Sequence, residues 1–136
     1  MKNLSLDKRW FLSLLQGISG INRDKTIELR AMNGLFPPSL DEEVICAMKK
    51  AGFQAINLSV GSISPKQQKR FNRPEVRTAV EKLLPAARKN ELAVTAYLII
   101  GAPRQRAEES LTDLLYLMNL EVVAALSVFY PAPGSR

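Results

Sequence analysis

The chain has 136 residues, 46% of them hydrophobic and 24% charged, with a formal net charge of +6. That length fits one domain with a real core and leaves no room for a second full one. One cysteine and no histidine exclude a disulfide framework, a zinc or iron–sulfur site built by this chain alone, histidine acid–base chemistry and Ser-His-Asp hydrolysis.

In chain order, the first residues carry no apolar signal core, because Asp7, Lys8 and Arg9 interrupt it at once. Asp7 to Gly20 reads as an amphipathic helix capped by Asp7, with Trp10, Phe11, Leu14, Leu15 and Ile18 on one face. Thr26 to Ala31 reads as a short strand, ended by Asn33-Gly34 and the Pro37-Pro38 pair. Leu40 to Ala51 is the next helix, with Ser39 or Asp41 as cap, acids in its first turn, lysines in its last and Gly52 as its stop. Its face is Val44, Ile45, Met48 and Ala51, and Cys46 within it reads as a buried structural thiol.

Phe53 to Ser59 is the second predicted strand, opening into a loop of small residues from Val60 to Pro65. A helical turn follows at Gln67 to Phe71, then a helix from Pro74 to about Asn90 that Pro85 should kink or break. Its face is Val76, Val80, Leu83, Leu84 and Ala87. Leu92 to Ile100 is a near-continuous apolar strand, the pattern of a strand covered on both faces. It is far shorter than the ~20 residues a spanning helix needs, which points to a soluble, cytoplasmic protein. Glu108 to Leu120 is a helix with Leu111, Leu114, Leu115 and Met118 expected inward. Val122 to Phe129 is the last strand, and Tyr130 to Gly134 the last loop.

Strands and helices alternate with a strand every ~30 residues, the size of a βαβ unit. The predicted fold class is α/β: a partial (β/α) barrel or parallel-sheet fragment of about four parallel strands and four helices, residues 1–136 forming a single domain. In such folds ligand chemistry gathers at the C-terminal strand ends. The loops there are Gly- and Pro-rich, while those at the opposite end are short. Ser59, Ser62 and Ser64 add hydroxyls able to bond a ribose, a carboxylate or an amine. The alternative is that serine, glycine and proline simply make turns.

Eight basic residues from Lys66 to Lys89 face only Glu75 and Glu81, so this stretch carries the whole net charge. It reads as a solvated helix face or as a surface for phosphate or carboxylate groups. No GxGxxG, no GxxxxGK[ST] and no aromatic basic stripe of the RNA-binding kind occurs. No catalytic pair emerges, Glu28 lying on a strand and Asp41 to Glu43 at a helix start.

Four ordered motifs carry a resemblance. Asn33-Gly34-Leu35 follows a strand and precedes a helix, and Gly61-Ser62-Ile63-Ser64 ends the next strand. Gly101-Ala102-Pro103 follows the third, and Tyr130-Pro131-Ala132-Pro133-Gly134-Ser135 closes the chain. With the run Leu40 to Ser59, this order resembles radical S-adenosylmethionine enzymes, especially the subgroup with a cobalamin-binding domain, and covers the C-terminal two-thirds of their core barrel.

The resemblance implies S-adenosylmethionine as cofactor, held at strand ends by Ser62 and Ser64 near its methionine or ribose part and by Gly101 and Pro103 near its adenine. It implies that Asn33 and Arg73 face the substrate, Arg73 toward a carboxylate. The family also uses a four-iron cluster held by Cys-x-x-x-Cys-x-x-Cys, a motif these residues do not contain, so no metal ligand is assigned. The motif's usual glutamate is Gly61, and the Gly-Glu-Thr after Gly-x-Pro reads Arg104-Gln105-Arg106.

The expected function is that of a truncated radical S-adenosylmethionine-type protein. Its strand-end loops work only with an upstream segment or subunit that carries the cluster. The alternative is a degenerate, non-enzymatic binding module with a basic face for an anionic partner, though not for nucleic acid or a membrane. Edge strands at Thr26–Ala31 and Val122–Phe129 would also drive self-association.

Overall fold

The computed structural model describes residues 5–134. Five α-helices, α1 (Lys8–Ile21), α2 (Glu42–Ala51), α3 (Pro65–Arg70), α4 (Arg77–Lys89) and α5 (Ala107–Met118), accompany three strands, β1 (Ala55–Gly61), β2 (Ala93–Ile100) and β3 (Val123–Val128). The strands form one parallel sheet in the order β1-β2-β3. Both crossovers step in the same direction, so the right-handed rule puts α4 and α5 on one side of the sheet. There Ile56, Leu58 and Val60 of β1 and Ala96 and Leu98 of β2 are buried with Val44, Ile45 and Met48 of α2 and Val80, Leu83 and Ala87 of α4. Among the described residues no helix is long and apolar enough to cross a membrane.

Local chemistry sets the helix ends much as the sequence predicts. Asp7 accepts from the Trp10 amide at 3.0 Å, and Asp41 from the Val44 amide at 3.0 Å, so aspartate caps both α1 and α2. α4 runs unbroken through Pro85. That residue faces solvent, where water can satisfy the carbonyl that its missing N–H leaves free. The helix begins at Arg77 and not at Pro74, with the Glu75 carboxylate accepting from the Thr78 amide at 3.0 Å. α4 and α5 are tied at their surface by the Tyr116 hydroxyl, which donates to Glu81, and by the Arg77 guanidinium 4.5 Å above the Tyr116 ring. Burial and the neighbouring Glu81 carboxylate push the Tyr116 phenol up to about 12.

Five expectations need correcting. The strand predicted at Thr26–Ala31 survives only as one isolated parallel bridge, Leu29 to Phe53, with a second, Leu35 to Leu58, beyond it, so the sheet has three strands. The reason is Asn22. Its side-chain amide donates to the Ile27 carbonyl at 2.7 Å and accepts from the Ile27 amide at 3.1 Å, occupying backbone groups that a ladder would need. It also donates to the Ala51 carbonyl at 3.0 Å, which locks the segment to the end of α2.

β2 is not covered on both faces, for only Ala96 and Leu98 of the strand are buried. α5 is rotated from its expected phase. Leu117 and Asp113 turn inward, whereas Leu111, Leu115 and Met118 are more than half exposed. The apolar residues of α5 span two faces, and packing on β2 and β3 selects the one with Leu117. Trp10, expected inward on α1, is likewise half exposed, while Phe11 and Leu15 are buried. Cys46 is only half-buried, beside Leu12, Leu15 and Gln16 of α1.

Replacing Asn22 with alanine strands the Ile27 and Ala51 backbone groups and should cost about 2–3 kcal/mol. Urea unfolding reads this directly. A loss below ~0.5 kcal/mol would mean that water replaces the amide without penalty.

Candidate functional site

The C-terminal strand ends form a continuous rim. β1 carries a register shift between Ser59 and Gly61, so Val60 is an extra residue against β2. Such bulges re-aim the chain at a strand end. Gly61 adopts φ +76°, and the Arg73 guanidinium would stand 3.3 Å from any Cβ placed there. Just beyond, the Ser64 amide donates to the Ser62 hydroxyl at 3.1 Å, and Gln68 Nε2 donates to the Ser62 carbonyl at 3.1 Å. Ser62 is 0% exposed. Its hydroxyl therefore builds the loop, whereas half-exposed Ser64 makes no cap hydrogen bond to α3.

Asp113 lies beneath this loop at 2% exposure. Its Oδ1 has no hydrogen-bond partner among the described residues. Burial pushes the carboxyl up, opposed by the Ser62 hydroxyl and the Ile63 and Ser64 amides. On the same helix Glu109 accepts from the Arg106 amide at 2.9 Å and from Gln67 Nε2 at 2.7 Å, and pairs with Lys66 at 3.3 Å. The Arg106 amide is the main cause that holds the Glu109 carboxyl at about 2, helped by Gln67 and Lys66 and opposed by burial. α5 thus grips the loop after β1 from below.

The loop after β2 is tied down by Gln105, which donates to the Ile99 carbonyl at 2.8 Å and accepts from the Ala102 amide at 3.0 Å. Arg70 reaches across from α3 to the Arg104 carbonyl at 2.7 Å. Gly101, at φ +74°, has open space where a Cβ would stand, and Pro103 is exposed. The Asn33-Gly34 turn closes the other side of the rim. Gly34, at φ +78°, would bring a Cβ to 2.9 Å from the Ser59 amide nitrogen, and Asn33 beside it is exposed.

Arg73 joins these pieces. It donates to the Ser59 carbonyl at 3.2 Å and to the Ser59 hydroxyl at 3.1 Å, and burial pulls its guanidinium down from its usual value. No carboxylate pairs with it among the described residues, so the remaining guanidinium donors stay available. Ser62 and Ser64 thus share one loop, Gly101 and Pro103 the next, and Arg73 sits beside Ser59 and Gly61. Asn33 reaches this group only through the close approach of Gly34.

Sequence reasoning missed the sheet face that the helices leave uncovered. Asn57 Nδ2 donates to the Tyr97 hydroxyl at 3.1 Å, and Ser59, Thr95, Ile99 and Ser127 share that face by strand parity. The available signal was period-two spacing: Asn57 with Ser59, and Thr95 with Tyr97, interrupt two apolar strands on the same side. The basic stretch is more dispersed than its charge count implies. Lys66, Arg77, Arg88 and Lys89 all hold ion pairs, with Glu109, Glu81, Glu121 and Glu42.

The residues present do not fit a four-iron cluster. Cys46 is the single cysteine of the chain and lies on α2 against α1. Among the described residues no group of three or more His, Cys, Asp or Glu side chains could hold a metal ion. The rim instead offers open space at Gly101 and spare guanidinium donors at Arg73, groups of the kind that an organic anion needs.

This parallel α/β layer, with its rim of strand-end loops, matches part of the fold of radical S-adenosylmethionine proteins. The match is to TsrM from Kitasatospora setae, a radical S-adenosylmethionine methyltransferase solved with cobalamin and a 4Fe-4S cluster bound. The TM-score is 0.78 at 17% identity over 93% of this chain and 26% of that one. The TsrM structure with tryptophan substrate and the S-adenosylmethionine analogue aza-SAM matches at TM-score 0.77, also 17% identical, over 93% of this chain and 25% of that one. The chain spans about a quarter of the length of these structures. No family model and no curated protein matches it.

Gly34→Ala should lose about 1–3 kcal/mol, since a side chain at that φ meets the Ser59 backbone. Chemical denaturation checks it. A second outcome concerns acid. Glu109 binds its proton at about 2 when folded, against an ordinary 4.5. In that window the unfolded chain holds the extra proton, so stability falls as pH drops from 4.5 toward 2. Glu109→Gln should flatten that part of the profile, read from urea midpoints across the acid range. An unchanged acid slope would refute it.

Proposed function

We propose that these residues form the ligand-facing part of a radical S-adenosylmethionine-type barrel, inactive until the cluster and the remaining strands join it from an upstream segment or a separate subunit. The observation that carries this reading is the fold match over 93% of the chain, confined to about a quarter of the neighbour. It is joined by a strand-end rim whose loops are pinned by Gln68, Gln105 and Arg73 and left open at Gly101.

In this reading the loop of Ser62 and Ser64 borders the methionine or ribose part of S-adenosylmethionine, Ser62 by shaping the loop and Ser64 by its hydroxyl. Gly101 and Pro103 border the adenine. Arg73 meets a carboxylate, and Asn33 stands at the substrate side. S-adenosylmethionine supplies the radical when it is cleaved reductively. The chain's own residues bind and orient, and nothing in them passes electrons. The dispersed ion pairs of the Lys66–Lys89 stretch give less support to a basic binding module.

The test joins the chain with a cysteine-bearing barrel segment by co-expression and assays 5′-deoxyadenosine under reducing, anaerobic conditions. Product is expected from the pair, with neither piece active alone and Arg73→Ala lowering the yield about tenfold or more. No product from a folded, cluster-loaded pair would sink the reading.

A further inference from the structure

Two buried oxygens lie without a partner at one junction beneath the rim. Among the described residues, Gln67 Oε1 on α3 and Asp113 Oδ1 on α5 are the buried side-chain polar atoms that make no hydrogen bond. Gln67 is 0% exposed and Asp113 2%. Glu109 links the two side chains. It takes Gln67 Nε2 at 2.7 Å, and it stands one turn before Asp113 on α5, a spacing that sets two residues side by side on one helix face. Turning the Gln67 amide over would set its oxygen against the Glu109 carboxylate, so the neighbours fix its orientation. Each orphan is therefore an acceptor facing a shortage of donors, a costly and uncommon state for a buried atom.

The charges around Asp113 are placed elsewhere. Glu109 faces it from its own helix, and Lys66 of α3 pairs with Glu109 at 3.3 Å. Arg106, before α5, pairs with Glu108, and Arg70 of α3 turns to the Arg104 carbonyl. Arg77 and Glu81 of α4 pair with each other and meet α5 at Tyr116. β2 and β3 carry no charged residue, and Tyr97 of β2 lies on the other face of the sheet by strand parity. The loop after β1 offers Asp113 the Ser62 hydroxyl and the Ile63 and Ser64 amides. No cation pairs with this carboxyl among the described residues.

We infer that Asp113 is a neutral acid in the folded chain and donates its proton to Gln67 Oε1, a clasp that fastens α5 to α3 beneath the rim. A carboxyl becomes a donor by taking up one proton, whereas the glutamine oxygen can only accept. One proton thus answers both orphan oxygens and ends the repulsion between two carboxylates one turn apart. The clasp responds to pH. Burial pushes the folded Asp113 carboxyl above its ordinary 3.8, and the unfolded chain releases the proton near that value. The stabilisation is therefore complete below 3.8 and is lost as pH rises through the folded value. Glu109 acts in the opposite sense, losing its contribution as pH falls from 4.5 toward 2. This inference stands apart from the ligand-binding proposal.

Carboxyl-carbon NMR of the folded wild-type chain across pH tests it without any variant. Asp113 should titrate above 3.8, with the Gln67 side-chain amide shifting at the same midpoint. Asp113→Asn sets a permanent donor beside Gln67 Oε1. Its unfolding constant should lie within about twofold of wild type at acid pH, where both side chains can donate. As pH rises, the wild type should lose up to about tenfold per pH unit against this variant until Asp113 is ionised. Asp113→Ala, which has no donor, should raise the unfolding constant about tenfold at the same acid pH. An Asp113 midpoint at or below 3.8, a Gln67 amide indifferent to that titration, or an Asn variant as weak as the Ala variant would overturn the inference. So would a urea midpoint that sodium, magnesium or calcium raises at fixed ionic strength in the wild type and not in Asp113→Asn, because a bound cation would then answer the two oxygens.

Discussion

A parallel sheet is stable when both faces are covered, and here the helices cover one. Every other feature of the molecule adjusts to that constraint. On the covered side Leu58, Val60, Ala96 and Leu98 are almost fully buried against α2 and α4. On the other side the strands present Asn57, Ser59, Thr95 and Tyr97, residues that tolerate partial hydration. That face is polar along β1 and β2, and on β3 it carries Val123, Ala125 and Ser127.

The rim owes its shape to side chains that replace absent backbone partners. Gln68 takes the Ser62 carbonyl, Gln105 takes both an amide and a carbonyl of the next loop, and Arg70 takes the Arg104 carbonyl. Loops of glycine, proline and serine have low intrinsic stiffness, and buried polar groups within them must be satisfied. Long amide and guanidinium side chains do both tasks at once. Gln67 and Asp113 are exceptions, each with a buried side-chain oxygen left without a partner among the described residues. The Asp113 carboxyl carries a desolvation cost that the Ser62–Ser64 loop above it offsets in part.

Much of this was legible in the sequence. The caps at Asp7 and Asp41, the apolar faces of α2 and α4, and the parallel α/β alternation all follow from local rules that tertiary packing left intact. What escaped was decided by contacts between distant residues. Thr26–Ala31 has strand composition, yet an asparagine five residues before Ile27 takes that residue's hydrogen bonds. α5 has leucines on two faces, and periodicity alone cannot say which one the sheet selects. Ser62, Ser64, Gly101 and Pro103 stand on strand-end loops, whose glycine, proline and serine content marks them in the sequence. Asn57 and Tyr97 were passed over because they sit inside largely apolar strands, and their meeting depends on the register of β1 with β2.

The single cysteine takes its meaning from where the structure puts it. Cys46 lies between α1 and α2, in the helical layer and not at the strand ends. Chemistry at the rim must therefore rest on hydroxyls, amides and the Arg73 guanidinium, groups that bind and orient but carry no electrons. At that rim Gly101 leaves open space, and Arg73 is its half-buried positive charge. A glutamate in place of Gly61 would stand within reach of the Arg73 guanidinium and neutralise it. The glycine there leaves the guanidinium without a carboxylate from its own strand.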